Sequence, residues 1–190
     1  MKDLALNEPR FLGLLSELVA LGPKLQNSPT LGLVPEERLA AECVLERLAP
    51  FVKRGQLRAE LLAAPGHEAR PNLVLTLQGR GTGCIGFLGA HFDVVPADRE
   101  GEGWERDPWK LAVEGGKLYG RGVTDCLGHV ALLTDLVAEL CSREVELERT
   151  LHVVLISNEE EAPIPEIGLD YAASVGALEP LAKGTSYWLD

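Results

Sequence analysis

A histidine and an aspartate two residues apart, His91 and Asp93, have the types and spacing that metal chemistry requires. They follow the apolar run 84–88, which predicts a buried central strand, and Pro96 ends the segment. Residues two apart on a strand point to the same face, so Asp93 can hold the second ring nitrogen of a metal-binding His91. The alternative for this pair alone is a surface histidine beside a turn aspartate.

Further carboxylates stand where other predicted elements begin or end. They are Asp125, Glu159, Glu160, Glu161 and Asp190. In open α/β sheets, sites form beyond the carboxyl ends of strands. One histidine with several carboxylates suits a divalent ion such as zinc, cobalt or manganese, and a bridging carboxylate can hold two such ions with a water between them. Taken singly, the glutamates have the alternative of a solvated acidic loop, Asp125 that of a helix cap and Asp190 that of an accident of the terminus.

The elements that must position these residues alternate along the chain. Helical spacing of apolar residues predicts four helices: from Asn7 to the Gly22–Pro23 pair, after Pro35, after a cap at Thr124 or Asp125, and over 167–175. Strand-like runs cover 56–62, 72–77, 84–91, 150–157 and 186–190, and a Gly115–Gly116 turn predicts a hairpin. This alternation predicts an α/β domain in which helices cover a sheet.

Composition narrows the classes of partner. The chain has 190 residues, 46% of them apolar, and a net charge of −11, which argues against nucleic acid as a partner. It has no apolar run long enough to span a membrane and no secretory signal at its start. Its four cysteines form no CxxC motif, which predicts reduced thiols in a cytoplasmic protein.

A glycine-rich stretch, residues 81–86, matches a GxGxxG pattern. A dinucleotide site requires that this turn opens a helix whose N-terminus meets the phosphates. The residues that follow here predict a strand instead, so we expect no nucleotide site.

Three segments together resemble one family of metallopeptidases. GAHFDVVP (89–96), LYGRGVTDCLGH (118–129) and SNEE (157–160) are similar to the family that includes acetylornithine deacetylase, succinyl-diaminopimelate desuccinylase, aminoacylase and carboxypeptidase G. The resemblance runs from about residue 72 to residue 190, and the forms DCLGH and YWLD look most like plant-type acetylornithine deacetylases. It implies a three-layer αβα sandwich with a mixed, mostly parallel central sheet.

The resemblance also implies roles for individual residues. The implied ligands of two divalent ions, zinc or cobalt, are His91, Asp125, Glu160 and Asp190, with Asp125 bridging. Glu159 would be the general base and Asp93 would orient His91, while Glu161 stays unassigned. A cis peptide bond is implied between Asp125 and Cys126.

The activity implied is that of a metal-dependent amidohydrolase that removes an N-acyl group from an amino acid. The substrate implied first is N-acetylornithine, cleaved to ornithine and acetate in arginine biosynthesis. Glu159 would take a proton from the attacking water and pass it to the departing amine. The alternatives are a dipeptidase or aminoacylase of the same family, and an inactive metal-binding fragment.

The sequence departs from the family pattern in several places. Leu127 and His129 stand where many members have lysine and glycine, and the loop around Ser28 lacks the usual Ser-Gly-Glu. His129 follows Asp125 by four residues, so it either shares a helix face with the site or lies at the surface. Members continue past the position of Asp190 into a lid and dimerisation domain and then supply a last histidine ligand. We therefore expect residues 1–190 to be the N-terminal portion of the catalytic domain, with one well-bound ion, and the longer protein to be a homodimer.

Overall fold

The computed structural model describes residues 4–97, 103–160 and 164–190. Its α-helices are α1 (Glu8–Leu25), α2 (Arg38–Lys53), α3 (Leu127–Ser142) and α4 (Leu169–Ser174). Its strands are β1 (Arg58–Leu62), β2 (Asn72–Leu77), β3 (Cys84–His91), β4 (Ala112–Glu114), β5 (Lys117–Tyr119), β6 (Thr150–Ile156) and β7 (Thr185–Trp188). Short 3-10 helices cover Pro29–Leu31 and Glu179–Lys183.

The main sheet has the strand order β1-β2-β6-β3-β7, and β4 and β5 form a separate hairpin. Strand β2 pairs antiparallel with both β1 and β6, whereas β3 pairs parallel with both β6 and β7. Because β3, β6 and β7 run in the same direction, their carboxyl ends meet at one edge of the sheet. The mixed α/β sheet confirms the predicted fold class, and β3 follows the glycine-rich stretch 81–83 as expected.

Helices cover both faces of this sheet. One face packs on α1, α2 and α3 in a large apolar core that includes Leu14, Leu18, Val44, Leu48, Leu75, Phe92, Val130, Val153 and Leu155. The other face, with Val74, Val154 and Ile156, packs on residues of α4 and the second 3-10 helix. Since alternate residues of a strand face opposite sides, β6 places Val153 and Leu155 in one core and Val154 and Ile156 in the other, so it lies between two layers. The structure therefore has the three layers that we predicted.

Helix α1 begins as predicted and ends later than predicted. The Asn7 side chain accepts a hydrogen bond from the Arg10 amide at 3.1 Å, which caps the helix. We expected the helix to stop at Gly22–Pro23, but it continues to Leu25 with Pro23 inside it. Gly22 instead lets the Trp109 ring pack against the helix, because a Cβ at Gly22 would overlap that ring. Packing against the body of the protein outweighs the hydrogen bond that proline removes.

The starts of the other two long helices differ in detail from expectation. Helix α2 begins at Arg38, and Glu37 at the cap position makes no capping bond with its side chain. Helix α3 has Cys126 at its cap, so the predicted cap at Thr124 or Asp125 is wrong. The Asp125 carboxylate instead faces Nε2 of His91, with Oδ1 at 2.9 Å.

Two further expectations concern the thiols and the membrane. Cys43, Cys84, Cys126 and Cys141 are all free thiols. Within the described residues, we find no helix with the length and apolar character needed to traverse a bilayer.

Candidate metal centre

His91 is the last residue of β3, and an irregularity in that strand sets its position. The register with β6 shifts between Leu88 and His91, and Gly89 between them has a φ of 102°. A Cβ at Gly89 would lie 2.8 Å from the carbonyl oxygen of Leu189 and from the Trp188 ring. Only glycine accommodates both the backbone angle and the close approach of the segment after β7. The irregularity therefore brings the end of β3 against the residues that lead to Asp190.

The two ring nitrogens of His91 have different surroundings. The Nδ1 atom donates to the backbone carbonyl of Asp93 at 2.8 Å, while the Asp93 carboxylate lies at 3.4 Å. Because a carbonyl oxygen only accepts, Nδ1 carries the proton and Nε2 holds the lone pair of the neutral ring. Nε2 faces Asp125 Oδ1 at 2.9 Å, Asp190 Oδ1 at 3.5 Å and Glu159 Oε2 at 3.7 Å. This nitrogen is therefore aimed into a group of carboxylates.

Four potential metal donors converge at this point. Donor atoms of His91, Asp125, Cys126 and Asp190 all lie within 4.8 Å of one another. Imidazole nitrogen, carboxylate oxygen and thiol sulfur form a donor set that zinc and cobalt accept. The residues present therefore fit a divalent ion of borderline hardness. The Asp125–Cys126 peptide bond is cis, as the resemblance implied.

The two glutamates after β6 take different positions. Glu159 lies beside the donor group, with Oε2 at 3.7 Å from Nε2 of His91. The Glu160 carboxylate is turned aside, and its Oε1 accepts from the Val95 amide at 3.2 Å. Glu160 is not part of the four-donor group, so the structure shows Asp125 but not Glu160 among the converging donors. Glu161 falls outside the described residues.

Asp93 is buried and has a larger role than the pattern suggested. Its carboxylate accepts from the Asn27 side chain at 2.7 Å and from the backbone amides of Glu159 and Glu160, each at 3.0 Å. It therefore holds the turn after β6 while its own carbonyl holds His91. Burial acts to raise the pKa of Asp93, but the neighbouring His91 ring and the hydrogen bond from Asn27 outweigh it and hold that pKa below its usual range.

The remaining ionisable groups show how negative the site is. Burial acts to lower the pKa of His91, but the carboxylates of Asp93, Glu159 and Glu160 outweigh it and raise that pKa to about 9. Burial raises the pKa of Glu160 to about 7, and burial followed by neighbouring carboxylates raises the pKa of Glu159. Crowded carboxylates of this kind are stabilised by a cation.

Residues that sequence reasoning missed or left open lie around this centre. Cys126 was not predicted as a donor, although its position directly after Asp125 was an available signal. His129 contacts Cys126, with Nδ1 at 3.5 Å from Sγ, and is not one of the four converging donors. Asn27 has no local signal, because its partner Asp93 is 66 residues away.

A known protein family matches the part of the chain that holds most of these site residues. The sequence profile of Peptidase family M20/M25/M40 matches residues 87–184, a range that holds His91, Asp93, Asp125, Glu159 and Glu160. The chain belongs to this family. Membership in the M20 family implies a divalent metal ion, in agreement with the donor set described above.

Curated relatives extend the M20 similarity over nearly the whole chain. An acetylornithine deacetylase of Dictyostelium discoideum is 41% identical over 194 residues, which cover 97% of this chain and 43% of the relative. An acetylornithine deacetylase of Arabidopsis thaliana is 37% identical over 188 residues, with 98% of this chain and 42% of the relative covered. The chain thus spans less than half the length of these relatives.

A solved structure supports the fold. Human carnosine dipeptidase 1 superposes with a TM-score of 0.67 and 25% identity, and the match covers 95% of this chain and 38% of that one. The αβα architecture of this M20 chain is therefore also found in a known enzyme.

Proposed function

We propose that this chain is the N-terminal part of the catalytic domain of a metal-dependent amidohydrolase. Its substrate would be an N-acyl amino acid, with N-acetylornithine as the first candidate. The single observation that carries this proposal is the convergence of His91 Nε2 with the carboxylates of Asp125, Asp190 and Glu159 at one edge of the sheet. The names of the two curated relatives support the choice of substrate.

The metal ligands follow from the geometry and from the family resemblance. His91, Asp125 and Asp190 would hold one ion, and Asp125 with Glu160 would contribute to a second. Such ions, zinc or cobalt, lower the pKa of a bound water from about 15.7 toward about 7 and polarise a carbonyl oxygen. In this structure the Glu160 carboxylate accepts from the Val95 amide, and it would leave that bond to hold the second ion. Because Asp125 is 63% exposed in its side chain, the site opens to solvent and substrate on its side.

Glu159 would act as the general base. Its side chain is 28% exposed and its carboxylate adjoins the donor group, so it can contact a water molecule held there. The raised pKa of Glu159 brings its proton affinity closer to neutral pH, where a base works best. Glu159 would accept a proton from water as the C–O bond forms, and would give a proton to the amine as the C–N bond breaks. The products are a carboxylate and a free amine, acetate and ornithine in the first candidate reaction.

Asp93 would support both metal binding and base catalysis without contacting substrate. Its carbonyl fixes the protonated nitrogen of His91, and its carboxylate fixes the backbone on which Glu159 is carried. Fixing the second ring nitrogen of a ligand histidine orients the ring and keeps its lone pair toward the ion.

A substrate panel tests the proposal. The chain, and a version extended in the manner of the longer relatives, are loaded with zinc or cobalt and assayed against N-acetylornithine, other N-acetyl amino acids and dipeptides. We expect acetate release from N-acetylornithine to be the fastest reaction, and to be weaker in the chain alone, with the extended version forming a homodimer. Preferential cleavage of dipeptides would instead favour the activity named for human carnosine dipeptidase 1. Tight metal binding with no turnover in either version would contradict an enzymatic role.

A further inference from the structure

The turn that carries Glu159 is anchored by three consecutive backbone amides. The amide of Asn158 donates to Glu37 Oε1 at 2.9 Å, and the amides of Glu159 and Glu160 each donate to Asp93 Oδ2 at 3.0 Å. The two acceptors are buried carboxylates that come from distant parts of the chain. The backbone that carries Glu159, the proposed general base, is therefore held by the buried carboxylates of Glu37 and Asp93.

Glu37 is itself held by a buried ion pair. Arg70 donates to it through Nε at 2.6 Å and through Nη2 at 2.8 Å, in a two-pronged arrangement. Glu37 is 0% and Arg70 is 4% exposed in their side chains. Burial, together with the nearby Asp93 carboxylate, raises the pKa of Glu37 even though the bonds from Arg70 and Asn158 act to lower it. A bidentate pair of this kind fixes the carboxylate in position as well as balancing its charge.

The backbone of Asn158 shows why an anchor is needed here. Asn158 has a φ of 59°, in the left-handed region that non-glycine residues seldom adopt. This conformation turns the chain sharply after β6 and directs the Asn158 amide toward Glu37. Its side chain bonds both the amide and the carbonyl of Ile164, which closes the turn on the other side. Nearby, the Ser157 hydroxyl donates to the Arg70 carbonyl at 2.9 Å, so Arg70 contributes to the turn through its backbone as well.

We propose that Glu37 is a positioning residue for Glu159 and that the Glu37–Arg70 pair sets where the base carboxylate lies. This inference rests on the proposed function of Glu159 as general base. Asp93 holds both His91 and the Glu159 turn, so its loss would disturb metal and base together. The bonds that Glu37 accepts come from Arg70 and the turn, so its loss would disturb the base alone.

The decisive variant replaces both members of the pair, as Glu37→Met with Arg70→Met. A buried ion pair can often be exchanged for apolar residues of similar volume without loss of stability, so we expect this variant to keep the fold while it removes the acceptor for the Asn158 amide. Glu37→Gln is the conservative variant, because its amide oxygen can still accept that bond. The matched control is Arg10→Met with Asp135→Met, which removes another ion pair with a buried carboxylate, between α1 and α3.

Three measurements are made on each variant: zinc affinity by calorimetry, amide hydrogen exchange over residues 157–160, and kcat and KM for N-acetylornithine. For the double variant at Glu37 and Arg70 we expect unchanged zinc affinity, faster exchange at Asn158 and a fall in kcat of about 100-fold, since small misplacements of a catalytic group have costs of this order. Glu37→Gln should recover most of the lost kcat, and the control should lose none.

Several outcomes would overturn the inference. An Asn158 amide that exchanges at the wild-type rate in the double variant would show that Glu37 does not hold the turn. An unchanged kcat with faster exchange would show that the turn does not set the base. Equal losses in the control would indicate a general loss of stability. A wild-type protein that binds zinc without turnover would contradict the proposed function, and the exchange result would then still decide whether Glu37 anchors the turn.

Discussion

Nε2 of His91 lies 2.9 Å from Oδ1 of Asp125, although 34 residues separate them in the chain. The histidine ends a parallel strand, whereas the aspartate precedes helix α3 through a cis peptide bond. With Nδ1 held by a carbonyl, the contact places an imidazole lone pair and a carboxylate lone pair at the same point. Two acceptors so arranged are stabilised by a proton or a metal cation between them, and the cation is the basis of the first prediction.

We expect His91→Ala to abolish the dominant zinc site of this chain. Removal of residues that only orient a ligand typically lowers metal affinity about 10–100-fold, and loss of the ligand itself should exceed that range. Calorimetric titration of the metal-free chain with zinc should show one dominant site in the wild type and none of comparable affinity in the variant. His67→Ala, at a half-buried histidine outside the donor group, is the control. Two tight wild-type sites of similar affinity would contradict the expectation of a single well-bound ion.

Glu159→Gln should separate catalysis from metal binding. The amide keeps the shape of the side chain but cannot accept the proton, and a general base typically contributes about 10²–10⁴-fold to rate. We expect kcat for N-acetylornithine to fall within that range while zinc binding stays within a few-fold. Glu148→Gln, at an exposed salt bridge with Arg80, controls for loss of surface charge. An active Glu159→Gln variant would assign the base elsewhere.

Gly89→Ala should weaken both the fold and the metal site. An added Cβ would lie 2.8 Å from the Leu189 carbonyl oxygen at a φ of 102°, and strain of these kinds costs about 1–3 kcal/mol each. Because Leu189 precedes Asp190, we also expect weaker zinc binding. Urea unfolding and zinc titration measure the two effects. Gly13→Ala is the matched control, since its Cβ would meet nothing within 4 Å and alanine favours a helix by about 1 kcal/mol. Equal stability of the two variants would show that the irregularity in β3 is adaptable.

His152 should make stability depend on pH in a direction that can be checked. Burial lowers the pKa of this residue below 6.5, so the unfolded chain binds a proton more readily than the folded one. Its contribution to the free energy of unfolding is therefore complete above about pH 6.5 and is lost as the pH falls toward its folded pKa. We expect His152→Gln to show a shallower decline in that free energy between about pH 7 and pH 5 than the wild type. A steeper decline in the variant would contradict the direction of the shift.

The sheet and the positions of Asp125, Glu159 and Asp190 were accessible from the sequence because local patterns determine them. Strand β6 ends in the apolar run 153–156, and the polar residues that follow mark its end. The pairing of Glu37 with Arg70 was not accessible, because burial converts two charged residues that look solvated into an internal pair. The extension of α1 through Pro23 was missed for a related reason: the Trp109 ring that packs there comes from a distant loop.

Strand β6 pairs antiparallel with β2 on one side and parallel with β3 on the other, so the pairing of the sheet changes at this strand. His91 ends β3 and Asp190 follows β7, both on the parallel side. The turn that carries Glu159 is also bonded on the antiparallel side, where the Asn72 side chain accepts from the Ser157 amide at 3.2 Å. The proposed metal ligand His91 and the turn that carries the proposed base Glu159 thus share one support, Asp93, whereas Asn72 and Glu37 bond the turn alone. A change at Asn72 or Glu37 can therefore alter turnover while the metal stays bound, whereas a change at Asp93 alters both properties together.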